Sequence, residues 1–297
     1  MMGKALVFQS DFGLADGAVS AMHGVAFSVS PAIPIFNLTH NIPAFSVWEA
    51  SCRLNQTLPY WPEGTVFVSV VDPGVGSERR SLAVKTATGQ VVITPDNGTL
   101  THVSMNAGIA EARFINETMN RLPGSLESHT FHGRDIYAYT GARLASGAVS
   151  FEELGEHVDP GVICVLQAPC ASLNNGKSAG CIEIMDVRFG NLWTNIGRTL
   201  LIEMGVAHGD RLIAEIRAGQ SLAFRGLVTF GKSFADVPGG EPVAYINSLG
   251  NLGLAVNQGS FAEIFSIGAG QDWTISVEKS EFREMLQKNL ASGIAAT

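Results

Sequence analysis

Short apolar runs alternate with stretches of helical periodicity through residues 1–168. The run at 5–8 predicts a buried strand. Val19, Met22, Ala26 and Val29 recur at helical spacing behind Asp16, which stands where an N-cap would. Residues 33–38 predict a second strand, and 45–58 a helix stopped by Pro59. Residues 65–71 form a mostly apolar run broken only by Ser69, the pattern of a strand buried on both faces. Residues 81–85 and 90–93 pair as a hairpin around Thr86-Ala87-Thr88-Gly89. A strand near 112–115 and a helix over 135–144 complete an α/β domain with a mixed, mostly parallel sheet.

The pattern changes after residue 168. Residues 169–180 are small and polar and read as a linker. Within 181–297, strands are predicted at 181–187, 192–195, 211–216, 221–224, 242–247, 252–257 and 273–277. Short strands at close spacing with Gly turns argue a β-barrel or sandwich. The tail at 281–290 reads as a helix.

Composition narrows the class. Of 297 residues, 46% are hydrophobic and only 15% charged, with 33 glycines, so a large core with many tight turns is expected and a disordered chain is excluded. The net charge of −8 argues against a nucleic-acid footprint, and the acid excess before residue 168 suits a cationic ligand or simply a soluble surface. Residues 17–48 lack Asp, Glu, Lys and Arg, but Pro31, Pro34, Asn37, His40, Asn41 and Pro43 interrupt them, so no membrane span is expected. The start, Met1-Met2-Gly3-Lys4, lacks the apolar segment of a secretory leader. Four cysteines without Cys-x-x-Cys pairing read as free thiols of a cytoplasmic protein.

Four polar clusters carry candidate chemistry. Ser10-Asp11-Phe12-Gly13-Leu14-Ala15-Asp16-Gly17 follows the first strand, where an α/β sheet binds ligands. A carboxylate there can accept from two neighbouring ribose hydroxyls, or serve as an N-cap within a turn, the reading that suits Asp16 best. Calcium-dependent nucleoside hydrolases need a denser acidic cluster than Asp11 and Asp16 provide. Val71-Asp72-Pro73-Gly74-Val75-Gly76-Ser77-Glu78-Arg79-Arg80 ends a buried strand in an acid and turns tightly, and such a turn can fold Arg79 back onto Asp72 as an ion pair or a working group. Thr130-Phe131-His132-Gly133-Arg134-Asp135 sets a histidine at a helix start, as an acid/base or as a cap. Asp186-Val187-Arg188-Phe189-Gly190-Asn191-Leu192-Trp193-Thr194-Asn195 crowds an acid, an amide and aromatics at a strand turn, which suits a planar base or the packing of a barrel core. No Cys/His set has zinc spacing, and no serine sits in a nucleophile elbow.

Together and in this order, with Tyr-Ile-Asn-Ser at 245–248, these segments resemble the S-adenosyl-L-methionine (SAM) hydroxide adenosyltransferase family. Its members are SAM hydrolases, and its relatives are the SAM-dependent fluorinase and chlorinase. The resemblance runs over almost the whole chain. It implies an α/β domain at 1–168, a β-barrel at 181–297, and a homotrimer with sites between neighbouring subunits. It implies that Asp72, Arg79 and His132 hold and activate water, a trio the halogenases lack. It further implies that Asp11 accepts from the ribose, Trp48 and Phe131 wall the pocket, and Asp16 and Asp186 face the methionine ammonium. Phe189, Asn191, Trp193 and Phe234 match the adenine end, and Ser248 a carboxylate contact. The fluorinase has Arg after that serine, where this chain has Leu249, which leaves Arg188 or Lys232 as the carboxylate partner. The expected activity is hydrolysis of SAM to adenosine and methionine with no metal and no cofactor. The alternatives are halide transfer and nucleoside binding without turnover.

Overall fold

A computed structural model describes residues 4–280. The helix expected over 281–290 lies outside the described residues. The chain divides after Leu166 into two units.

The first unit is built on one seven-stranded sheet. Its strands are β1 (Leu6–Ser10), β2 (Ile35–Thr39), β3 (Val66–Val70), β4 (Ser81–Thr86), β5 (Val91–Pro95), β6 (Ile109–Ile115) and β7 (Gly155–Val158). Their spatial order is β2-β1-β3-β5-β4-β6-β7. The first four in that order run parallel, and β4, β6 and β7 join antiparallel. The sheet is mixed with a parallel start, as the run-and-helix pattern implied. β1 and β3 are buried along their whole length, so their side chains supply both faces.

On one face Leu6, Phe8, Val66 and Val68 pack with Met22 and Ala26 of α1 (Ala18–Val29) and Ala142 of α4 (Tyr139–Ser146). On the other, Val7 and Phe67 pack with Leu54 of α2 (Val47–Thr57) and Val103 of α3 (Thr101–Asn106).

Helix starts depart slightly from expectation. Gly17, not Asp16, caps α1, and the Asp16 Oδ1 accepts the Ala18 N–H at 2.9 Å from one residue further out. Phe45 does not begin α2, because its φ of +68° is left-handed. Ser46 caps that helix by accepting the Glu49 N–H. The first part of the helix expected over 135–144 is instead a wide turn at Gly133–Ala138 with i→i+5 bonding, a form that recurs at functional sites, and α4 follows from Tyr139.

The second unit is a closed seven-stranded barrel. Its strands are β9 (Lys177–Met185), β10 (Leu192–Gly197), β11 (Arg211–Ala218), β12 (Ser221–Phe230), β13 (Pro242–Ile246), β14 (Asn251–Val256) and β15 (Trp273–Lys279). The ring runs β10-β14-β13-β12-β11-β15-β9 and closes by β9–β10 pairing. Leu212, Ala214 and Ile216 of β11 alternate inward against Leu192, Phe224 and Leu254. Two short helices, α5 (Arg198–Glu203) and α6 (Phe261–Phe265), had no forecast in the pattern.

The stretch 169–180, expected as a linker, holds β8 (Ser172–Asn174) and the start of β9. They form a hairpin through Asn175 and Gly176, both at positive φ, the geometry of a tight two-residue turn. The strand looks like a linker because its inward positions are Ser178 and Gly180. At Gly180 a Cβ would collide with the Asn195 side chain, so a larger residue has no room.

Candidate active site

The parallel pairing of β1 with β3 sets Ser10 opposite Val70. Asp11 and, one residue further on, Asp72 therefore leave the sheet at the same edge. The helix after β1 and the helix before β3 cover opposite faces, so the winding reverses between these two strands, which is where open α/β sheets collect ligands. A cavity of about 280 Å³ lies there, lined by Asp11, Phe12, Phe45, Asp72, Phe131 and His132 among others.

The loop after β3 folds as its glycines allow. The Val75 N–H donates to the Asp72 carbonyl at 3.2 Å, and the Ser77 N–H to the Gly74 carbonyl at 3.0 Å. Gly76, at φ +78°, passes so close to the His129 carbonyl that a Cβ would stand 2.9 Å from its oxygen. This turn returns Arg79 to Asp72. Arg79 Nε donates to Oδ1 at 2.8 Å and Nη2 to Oδ2 at 2.5 Å, a two-pronged ion pair. The same Nη2 lies 2.9 Å from His132 Nδ1. The carboxylate, guanidinium and imidazole thus converge from positions as far apart as 72 and 132.

Asp72 and His132 line the cavity, whereas Arg79 stands behind them and borders a second cavity of about 490 Å³ with Arg80, Ser81 and Glu117. The side chains of Asp72 and Arg79 are only 6% and 10% exposed. Burial opposes the Arg79 charge, but Tyr137, Asp72 and Glu117 together hold its pKa above the ordinary value. Burial lowers the His132 pKa most, Arg79 and Arg121 lower it further, and Glu117 and Asp72 offset only part. The ring is therefore disposed to be neutral.

The remaining expected residues of this unit have different surroundings. The Asp11 Oδ2 accepts the Phe45 N–H at 2.9 Å. Phe131 packs edge-on against Phe12, with centroids 5.7 Å apart, and an added Cβ at Gly133 would stand 3.0 Å from the Phe12 ring. Trp48 is not among the residues lining the cavity; its ring packs edge-on against His102 at 4.6 Å. Asp16 is exposed and bonds its own loop.

In the barrel unit, Phe189, Asn191 and Phe234 line a cleft of about 630 Å³ with Arg188, Val256 and Ser260. The Asp186 Oδ1 accepts the Arg188 and Phe189 N–H groups at 3.0 and 3.3 Å, which closes the turn that carries Phe189. Trp193 is half-buried on β10, opposite Ile184 and Gly253, and does not line the cleft. Ser248 is exposed in the turn that Asn247 closes by accepting the Leu249 and Asn251 N–H groups. Of the two residues expected to hold a carboxylate, Arg188 lines the cleft. Lys232 is exposed, and its backbone N–H donates to Asp236.

Phe12, Phe45, Ser81, Glu117, Arg121 and Tyr137 join the site without having been expected from the sequence. Ser81 donates to Glu117 Oε1 at 2.6 Å and lies 3.0 Å from the Tyr137 hydroxyl, so a polar layer backs the trio. The i,i+4 spacing of Glu117 and Arg121 was the available signal. Among the described residues no group of three or more His, Cys, Asp or Glu side chains is placed to share a metal ion, and no helix is long and apolar enough to cross a membrane.

Residues 6–155 match the model of the SAM hydroxide adenosyltransferase N-terminal domain, and residues 180–274 that of the C-terminal domain. The chain is 32% identical to the (R)-S-adenosyl-L-methionine hydrolase of Salinispora arenicola, over 91% of this chain and 96% of that one. It is 30% identical to a fluorinase of an Actinoplanes species, over 91% and 97%. Among solved structures, an uncharacterized conserved protein from Thermotoga maritima superposes with a TM-score of 0.82 at 32% identity, covering 92% of this chain and 99% of that one. On this likeness across both units, the chain belongs to the SAM hydroxide adenosyltransferase family.

Proposed function

We propose that the protein hydrolyses SAM at ribose C5′, giving adenosine and L-methionine. The observation that carries the reading is the convergence of Asp72, Arg79 and His132 at the wall of a cavity that also holds Asp11 and two aromatic rings. The hydrolase and fluorinase relatives support SAM as the substrate.

The chemistry follows from the leaving group. Methionine departs from a sulfonium as a neutral thioether, taking the C5′–S electron pair, so no general acid is needed. Water supplies the new O–C5′ bond and must lose a proton, and the overall reaction releases one proton to solvent. Water attacks poorly unless it is positioned and a base eases that proton away. Asp72 and His132 are the acceptors that face the cavity. Arg79 donates to both and so fixes their relative orientation. The two acceptors and their shared donor titrate as a set, and the proton is assigned to the set. Removal of bulk water from the cavity strengthens each of these interactions.

In this reading Asp11 accepts from the ribose hydroxyls with the oxygen not used by Phe45, and Phe12 and Phe131 wall the pocket. Phe189, Asn191 and Phe234 receive the adenine, and Asp16 and Asp186 offer charge to the methionine ammonium. Arg188 holds the carboxylate in place of the arginine that Leu249 replaces. The reaction uses no metal and no cofactor, and the protein works as a cytoplasmic homotrimer. Light scattering of the purified protein tests the assembly.

The test of activity is incubation with SAM followed by chromatography. Adenosine and methionine in equal amounts support hydrolysis, and free adenine contradicts it. The fluorinase relative favours one second reading, transfer of a halide. A halogenated adenosine formed at high halide concentration would select it.

A further inference from the structure

The His132 ring lies between two guanidinium groups. Arg79 Nη2 is 2.9 Å from Nδ1, and Arg121 Nη2 is 3.3 Å from Nε2. Guanidinium nitrogens only donate, and a neutral imidazole has one acceptor nitrogen. Only one of the two contacts is therefore a full hydrogen bond. The shorter one assigns the acceptor to Nδ1 and the proton to Nε2. An imidazolium would turn an N–H toward a guanidinium on both sides, with its charge between two like charges.

Arg121 is itself held in place. Its Nη1 donates to the carbonyls of Ser125 and Ser128 at 3.5 and 3.3 Å. Its Nη2 lies 3.9 Å from Glu117 Oε2, and Glu117 Oε1 lies 3.7 Å from Arg79 Nη1. Glu117 thus ties together the two guanidinium groups that flank the ring. Neither Arg121 nor Glu117 lines the cavity, so substrate contact does not explain them.

We propose that Arg121, anchored by Glu117, is a positioning residue that bars a second proton from His132, whose neutral tautomer the shorter Arg79 contact fixes. The proposal deepens the hydrolase reading: the acceptor nitrogen of a neutral His132 is turned to Arg79, which leaves Asp72 as the member of the set with acceptor capacity toward the cavity. The charged and titratable groups facing the ring are Asp72 and Arg79 from the loop after β3, and Glu117 and Arg121 from the segment after β6. His129 stands on its own loop, with ring centroids 6.5 Å apart. Burial and both arginines lower the His132 pKa, whereas Glu117 and Asp72 raise it. Arg121 and Glu117 therefore act on the ring with opposite sign.

The test is a nuclear magnetic resonance titration of the His132 ring in the intact protein, assigned with His132→Gln and paired with the pH profile of kcat for SAM. Wild type shows the proton on Nε2. Arg121→Gln moves the titration, and the acid limb of kcat with it, to higher pH. Glu117→Gln moves both to lower pH, Arg121→Lys keeps the wild-type midpoint, and KM is unchanged in all three. A proton on Nδ1 in wild type, titrations that do not move, or shifts of the same direction in Arg121→Gln and Glu117→Gln overturn the proposal. Absence of SAM cleavage by wild type overturns the hydrolase reading instead, and the titration still decides the role of Arg121.

Discussion

Replacing Asp72 by Asn separates a working carboxylate from a structural one. The substitution keeps a carbonyl oxygen for Arg79 Nε, but it removes the charge and sets an amide N–H against Arg79 Nη2, donor facing donor. Both side chains are nearly buried, and removing one partner of a buried pair costs about 3–5 kcal/mol. Glu117 at 3.7 Å and Ser81 at 3.3 Å remain beside Arg79 Nη1, so the loss of folding stability should be smaller, about 2–3 kcal/mol. The effect on rate is separate. Loss of a proton acceptor lowers kcat by about 100- to 10,000-fold, or about 3–5 kcal/mol in activation free energy. Initial rates over a range of SAM concentrations give kcat and KM, urea unfolding gives stability, and calorimetry gives adenosine affinity. The expected variant folds, binds adenosine against Asp11, Phe12 and Phe131 as wild type does, and barely turns over. A variant destabilised as calculated that still hydrolyses SAM at the wild-type rate would show that the pair only braces the loop.

Asp11→Asn retains an acceptor for the Phe45 N–H but loses the charged acceptor for ribose; calorimetry should show adenosine affinity reduced about tenfold or more, and unchanged affinity would remove Asp11 from the ribose contact. Burial, with His23 nearby, lowers the His40 pKa from 6.5 to about 4, and burial does the same to His102. Between those values the unfolded chain binds protons that the folded chain does not, so each histidine's contribution is intact above pH 6.5 and is lost as pH falls toward 4, by about 1.4 kcal/mol per pH unit. Glu183, pushed by burial from 4.5 to about 7, acts in the opposite sense between those values. Urea titrations of His102→Gln should therefore show a shallower fall of stability on acidification, and an unaltered slope would contradict the assignment. Gly141→Ala would set a methyl 2.5 Å from Val68 Cγ2 and 3.1 Å from Leu6 Cδ1, where α4 lies against the sheet. The overpacking should exceed the gain of about 1 kcal/mol in helix propensity and lower the melting temperature, and a stabilised variant would refute the close approach.

Most of the architecture was legible because the strands bury residues with strong patterns. The 65–71 run announced β3, and the Gly89 turn announced the β4–β5 hairpin. Where size rather than hydrophobicity fills the inward position, the pattern fails, as Ser178 and Gly180 show in β9. The Asn-Gly pair at 175–176 was the overlooked hairpin signal. The return of Arg79 onto Asp72 was legible in the Pro-Gly turn between them, whereas His132 joined the pair only through the family resemblance, because one histidine at a helix start reads equally as a cap. Glu117 and Arg121 were not legible, because residues 116–121 lack apolar periodicity and gain meaning only when the loop folds behind Arg79. Trp48 stands in none of the motifs and is a pocket wall only by the family resemblance; its ring packs against His102. The wide helical turn at Gly133–Ala138 also has no periodic signature, since it carries only one turn.

The central claim is that water is the nucleophile at C5′, and the destination of its oxygen tests that claim most directly. Turnover of SAM in isotopically labelled water, followed by mass spectrometry of both products, should place one labelled oxygen on the adenosine 5′-hydroxyl and none in methionine. Adenosine released without label at that hydroxyl would contradict the account.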